Sequence, residues 1–303
     1  MIGPDIVVIS GFINDFANAT NETYARNVVM NNGNTTWRRM DDLPVEKGIT
    51  HAAVAVVGKR LFVCGGFYGG NPGVHIPDCF VYDHTRRPGS GRQWSRTSPL
   101  PNGGTGGGGM VFDSAMNTLY YASGGTRDYI KPTREIYDVD SFYKYELHNP
   151  DAGWINIGTC PHKANHLSAV TAFDRVGNEH HFFLGGQVGK DECQQNLDTV
   201  YEWHADSMTW TQHTNIPFAR GHAPSSTLPI SCGFVMAGGS VNSPGGCFNQ
   251  TSDISFYDIE TSVWTSIGNL SNKVNSPVCS IGKDGYFYHV SGTVNRRRIR
   301  VDP

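Results

Sequence analysis

The chain has 303 residues, with 24 Lys plus Arg against 27 Asp plus Glu, and its net charge of −3 is spread without blocks. Such a surface makes no field to attract nucleic acid or an anionic membrane, and its one basic cluster, Arg296 to Arg298 with Arg300, stands near the end of the chain. No apolar run reaches the ~18 residues of a spanning helix, so neither a nucleic-acid partner nor direct membrane insertion is expected. The 36 Gly and 16 Pro, distributed throughout, impose frequent turns that favour short strands, while 15 Phe and 13 Tyr can build a sizeable core.

In chain order, an apolar strand Val7-Val-Ile-Ser-Gly11 leads to Trp37 and the turn Leu43-Pro44. A second stretch opens on a small-residue strand, His51-Ala-Ala-Val-Ala-Val-Val57. It continues through Leu61-Phe-Val-Cys-Gly-Gly66 and Tyr82-Asp83 to Trp94 and Leu100-Pro101. In the third, Gly104-Thr-Gly-Gly-Gly-Gly109 takes the small-residue slot, followed by Leu119 to Gly125, Tyr145-Glu146, Trp154 and Cys160-Pro161. The fourth runs from His166-Leu-Ser-Ala-Val-Thr-Ala172 through Phe182 to Gly186 and Tyr201-Glu202 to Trp210 and Ile216-Pro217. The fifth runs from His222-Ala-Pro-Ser-Ser-Thr227 through Phe234 to Gly239 and Tyr257-Asp258 to Trp264 and Leu270-Ser271. A degenerate Phe287-Tyr-His-Val-Ser-Gly292 begins a sixth copy, and the five tryptophans recur at steps of 57, 60, 56 and 54.

Each copy predicts four short strands. In sheets arranged radially about an axis, crowded inner strands favour small side chains and diverging outer strands need aromatics, while paired glycines serve where backbone turns sharply or approaches closely. A double glycine, then a tyrosine with an acid, then a tryptophan, repeated along nearly the whole chain, resembles the kelch repeat. The resemblance implies an all-β, kelch-type β-propeller forming a single domain over 1–303. Its six blades of four-stranded antiparallel sheet run approximately 1–44, 45–101, 102–161, 162–217, 218–271 and 272–303. Both terminal blades are incomplete in sequence, and a seventh blade in a longer chain is the alternative to a six-blade ring.

The glycine run contains the pattern GxGxxG, but a strand, Met110-Val-Phe112, follows it where a phosphate cradle needs a helix, so no cofactor is expected. His51, His166 and His222 hold equivalent places just after the turn between blades, near one mouth of the channel. Converging imidazoles can hold a metal. They belong to blades 2, 4 and 5, however, of which only the last two are neighbours; structural hydrogen bonding is the preferred reading and no metal is expected. Arg220, in Arg220-Gly-His222, either presents planar donors to the mouth or lies buried against loop carbonyls.

Loops between second and third strands, residues 67–77, 126–137, 187–196 and 240–252, vary in length and are natural binding elements, with Tyr68, His75, Arg127, Tyr129 and Lys131 as candidates. Cys64 with Cys79, and Cys193 with Cys247, are possible disulfides among seven cysteines that form no CxxC pair. Sequons at Asn18, Asn21, Asn34, Asn249 and Asn269 slightly exceed chance. Together with the possible disulfides they lean toward an extracellular or secretory setting, although Met1-Ile-Gly-Pro is no leader; the cytoplasm is the alternative.

The expected function is non-catalytic recognition of a protein or glycan partner through loops and the channel mouth. A cytosolic kelch adaptor is one alternative. The other is a sugar isomerase similar to sialic acid mutarotases, drawing acid/base groups from Asp191, Glu192, His166 and Arg220. A copper-radical oxidase similar to galactose oxidase is disfavoured, because Tyr288-His289 has no convincing partner set.

Overall fold

The computed structural model describes residues 5–13, 18–27, 36–70, 73–127, 136–189, 194–243, 246–282, 285–290 and 297–300. Strands form where the repeat predicts them, and four sheets are complete, each with strands in chain order from inside to outside. The second unit is Ala53–Val57, Arg60–Cys64, Cys79–Asp83 and Trp94–Thr97. The third is Gly109–Asp113, Thr118–Ala122, Ser141–Glu146 and Trp154–Thr159. The fourth is Ser168–Phe173, Glu179–Leu184, Val200–His204 and Thr209–Gln212, and the fifth Thr227–Ile230, Gly233–Ala237, Asp253–Asp258 and Val263–Asn269. Three-stranded sheets precede and follow them: Asp5–Ile13, Asn18–Asn27 and Arg38–Arg39 at the start, and Val278–Ile281, Tyr286–Val290 and Arg297–Arg300 at the end.

The inner strands of units two to six touch in sequence order, each against the next. Apolar residues therefore collect in five clusters between successive sheets. Between the second and third sheets, for example, Phe62 and Ala55 meet Leu119, Tyr121 and Trp154. The recurring tryptophans do more than fill the outer gap. The indole N–H of Trp94 donates to the Asp41 carbonyl (2.8 Å), that of Trp154 to Ser98 (3.0 Å) and that of Trp264 to Thr214 (3.1 Å). Each acceptor lies four residues past the preceding repeat's tryptophan, so the outer strand is latched to the unit before it.

The paired glycines have a sharper cause. Gly65 and Gly66 have φ of +67° and +101°, Gly185 and Gly186 +61° and +89°, Gly238 and Gly239 +60° and +97°. This left-handed pair swings the second strand out of its sheet, and the second amide of each pair then bonds the next unit. Gly66 N–H donates to Thr105 O, Gly124 to Ala164, Gly186 to Arg220 and Gly239 to Val274, all at 2.8 to 2.9 Å. A Cβ on Gly66 would sit 2.5 Å from Thr50 O, and one on Gly186 2.7 Å from Asn165 O. Side chains are excluded by space as well as by φ.

Three sequence expectations shift. In the third unit the left-handed pair is Ser123-Gly124, φ +61° and +108°, not Gly124-Gly125, and the first unit likewise uses Ser10-Gly11. Serine serves at the first position because its hydroxyl finds a carbonyl: Ser123 Oγ donates to His162 O at 2.5 Å. In the fourth unit the aromatic facing the outer tryptophan is Trp203, opposite Trp210, where the other units place Tyr82, Tyr145 and Tyr257. Tyr201 is two residues out of phase. In the fifth unit the small-residue segment is no strand at its start, because Pro224–Ser226 form a 3-10 turn and the strand begins at Thr227.

The phase shift leaves Glu202 on the same face as the acids of the other units but places it one residue before Trp203, within the strand, where it is 4% exposed. Its carboxylate meets His180 Nδ1 at 2.6 Å and His213 Nε2 at 2.7 Å, and His213 reaches Tyr257 Oη in the next unit at 3.0 Å. Burial alone would raise the Glu202 pKa, but the hydrogen bonds from the two imidazoles outweigh it and hold the group at about 2. Cys64 and Cys79, paired in register between adjacent strands, form a disulfide. Cys193 and the side chain of Cys247 lie outside the described residues.

Two tests follow from this packing. Gly186→Ala should cost about 3 kcal/mol or more, combining the left-handed φ with the Asn165 carbonyl. Gly177→Ala, at φ +91° with nothing within 4 Å of its Cβ, should cost only ~1 kcal/mol by urea denaturation. Glu202→Gln should cost ~3 kcal/mol near pH 6. Because the folded pKa of Glu202 lies below its ordinary 4.5, its contribution is complete above that value and fades as the pH falls toward about 2. His180 is raised by the same contact, so its share is lost as the pH rises through its folded pKa. A wild-type to variant difference that stays flat with pH would contradict the network.

Candidate functional site

The break in each sheet builds a second tier on one face. Above the left-handed pairs the backbone forms short hairpins that also pair with the two residues leading into each inner strand. Ile49–Thr50 pair with Phe67–Tyr68, Gly106 bridges Gly125, Asn165 bridges Gln187, and Arg220–Gly221 pair with Ser240 and Val241. The residue between the tiers is itself left-handed: His51 at φ +56°, Gly107 at +72°, His166 at +51°, His222 at +54° and Ser276 at +53°.

The three histidines occupying this slot come together. Ring centroids are 4.7 Å apart for His51 and His166, 3.9 Å for His166 and His222, and 6.2 Å for His51 and His222. The sequence spacing had separated His51 from the other two by one blade, and the glycine in that blade's slot removes the obstacle. Gly107 donates its N–H to His51 O (2.8 Å) and accepts from Leu167 N–H (3.0 Å), and a Cβ on it would lie 2.6 Å from the backbone nitrogen of His166. His51 therefore reaches across the third unit to His166.

Each imidazole has its Nδ1 held by an oxygen: Thr50 Oγ1 for His51 (2.9 Å), Asn165 Oδ1 for His166, and Ser240 Oγ for His222 (3.3 Å). Phe12 and Phe67 set their rings edge-on to His51 at 5.6 and 5.5 Å. Burial, then the neighbouring His51, drives the His222 pKa down to about 3, so this ring is neutral at ordinary pH.

A polar chain surrounds the cluster, and sequence reasoning did not find it. Asn165 donates to Asp138, whose second oxygen accepts from Gly189 N–H (3.0 Å), and burial leaves the Asp138 carboxyl raised despite these bonds. Gln187 Nε2 donates to Asn196 Oδ1 (2.8 Å) and Ser240 Oγ (3.1 Å). The available signal was position: Thr50 and Asn165 immediately precede the left-handed histidine, and Gln187 and Ser240 immediately follow the left-handed pair.

Arg220 resolves to the buried alternative. It is 0% exposed and donates to Met236 O (2.9 Å), Asp253 Oδ2 (2.8 Å) and Ser255 Oγ (3.2 Å), so its donors face inside the fifth unit and not the mouth. The glycine run is a packing slot: Cβ atoms would meet Ile76 O at Gly104, the Phe67 ring at Gly106, Tyr121 Oη at Gly108 and Ala169 Cβ at Gly109, all within 2.8 Å.

Tyr68 and His75 are half-buried on the first hairpin of the rim. Tyr129, Lys131, Asp191 and Glu192, and the side chain of Arg127, lie outside the described residues, as does Asn34. Asn18, Asn249 and Asn269 are exposed, whereas the Asn21 amide donates to Val45 O at 2.9 Å. An open cleft of ≈ 370 Å³ flanks the hairpin of the fifth unit, lined by amides of Asn242, Asn249 and Gln250 with Phe218 and Lys273. A second group of metal-ligand type, Asp113, Glu179 and His181, is also brought together, in strands of the third and fourth units; it too was missed. Among the described residues no helix is long and apolar enough to cross a membrane.

The family model described as Kelch motif matches residues 49–101, the whole of the second unit. No curated protein matches the sequence. The solved structure titled "Structure of YjhT" is similar with a TM-score of 0.67 at 14% identity, over 96% of this chain and 92% of that one, a likeness of fold alone. The kelch motif matched in the second unit, the repeated four-stranded sheets with their left-handed pairs, and this likeness together support a kelch-type β-propeller fold.

Proposed function

We propose that this chain is a single-domain, six-bladed recognition module that binds a protein or glycan partner, without catalysis, on the face bearing the short hairpins. The observation that carries this reading is the second tier itself: the loops between second and third strands are tied by backbone hydrogen bonds to the residues leading into the inner strands, forming a pre-organised rim beside an open, amide-lined cleft. Kelch repeats generally mediate protein interactions, and amides with an exposed aromatic also suit a sugar's hydroxyls and apolar faces. Asp138 favours a second reading, an acid/base sugar isomerase, because its raised carboxyl reaches His166 through Asn165. Both of its oxygens are committed to donors, which supports positioning over proton transfer.

Panels of glycans and of secreted ectodomains, screened by surface-immobilised binding, test recognition. A bound partner should lose at least 10-fold affinity with Gln250→Ala plus Lys273→Glu or with Tyr68→Ala plus His75→Ala, and be unaffected by Thr265→Ala on an outer strand. Binding indifferent to every rim variant, or turnover of a free sugar that Asp138→Asn abolishes, removes the reading. For the secretory setting, intact mass of native protein before and after deglycosylation should show glycan at Asn18, Asn249 or Asn269, with Cys64 and Cys79 protected from alkylation. An unglycosylated chain with seven reactive thiols would place the module in the cytosol instead.

A further inference from the structure

We infer that His51, His166 and His222 form a three-histidine site at the channel mouth for a divalent transition-metal ion of the zinc class. One ring nitrogen from each lies within 4.8 Å of the other two, although the residues belong to three separate units. Tetrahedral bonds of about 2.0–2.1 Å set such nitrogens roughly 3.4 Å apart, so the rings, of which His166 and His222 stack at 3.9 Å, turn toward the ion as it binds.

The outer contacts are those of metal-ligating histidines, in which one ring nitrogen is fixed by an oxygen and the other is directed at the ion. Here Thr50, Asn165 and Ser240 supply that oxygen, each to Nδ1, which assigns Nε2 as the ligand. Asn165 is held in turn by Asp138, and Ser240 by Gln187 and Asn196, so two of the three rings have a second layer of support. Gly107 supplies the room, and the edges of Phe12 and Phe67 supply an apolar wall that strengthens coordination. With imidazole ligands and no carboxylate among them, the site selects zinc, copper, nickel or cobalt over magnesium or calcium, and three ligands leave a tetrahedral ion one position for water or a partner's group.

The other cluster, Asp113, Glu179 and His181, is accounted for by local structure. Asp113 accepts from Met116 N–H (2.9 Å), Glu179 from Ser114 N–H (2.8 Å), and His181 pairs with Asp113 at 3.4 Å. The inference goes beyond recognition and stands whichever partner the rim binds.

The test uses the full chain stripped with a chelator. One equivalent of cobalt(II) should give the visible absorption bands of four-coordinate cobalt, and zinc(II) should displace it stoichiometrically while magnesium does not. His51→Gln and His166→Gln should each lower zinc affinity at least 100-fold in competition with a chromophoric chelator, and Glu179→Gln should leave it unchanged. Metal-free thermal melts identify which variants fold, and His51→Gln, at a half-buried ring, carries the test if His166→Gln does not. Absence of stoichiometric binding by the folded wild type, or full affinity in a folded histidine variant, overturns the site.

Discussion

The structure depends on one backbone constraint, the left-handed pair that ends each second strand and hands its second N–H to the following unit. The bond from Gly66 to Thr105, and its equivalents at Gly124, Gly186 and Gly239, fixes the distance and rotation between neighbouring sheets. A carbonyl standing where a Cβ would be leaves no latitude at that position. Inter-unit clusters of aromatics and the tryptophan latches add apolar burial and outer restraint, but they fill a geometry that the backbone contact sets.

The same constraint creates the site. The carbonyl accepting from the second residue of each pair lies two positions before the left-handed slot, so Thr105 precedes Gly107, Ala164 precedes His166 and Arg220 precedes His222. Slots are thereby stationed around the mouth by the scaffold, and their occupants are free to vary: histidine in three units, glycine in one and serine in another. Arg220 sits at the acceptor position, which is why its side chain turns inward to Asp253 and Met236 while its own carbonyl serves Gly186.

Polar residues concentrated on this rim are bonded to one another, which makes the hairpin tier stiff. Asp138, Asn165 and Gln194 form one connected set and Gln187, Asn196, Ser240 and Asn242 another, each meeting a histidine of the mouth. A buried polar network of this kind holds side-chain directions more tightly than apolar packing does. The mouth is thus held in one shape.

The sequence by itself determined the strands, their period, the cross-strand placing of Cys64 and Cys79, and the equivalence of the three histidines. Those features are local or repeat in register, and a left-handed residue, a small inner strand or an outer tryptophan is legible wherever it recurs. What only the tertiary structure decided is how equivalent positions meet through space. Whether His51 reaches His166 depends on the missing side chain of Gly107 between them, and the meaning of the glycine run depends on Phe67, Tyr121 and Ala169 arriving from elsewhere. The two-residue phase shift that faces Trp203 to Trp210 and buries Glu202 was hidden because Tyr201-Glu202 imitates the repeat in composition, while strand register decides which residue stands opposite the tryptophan.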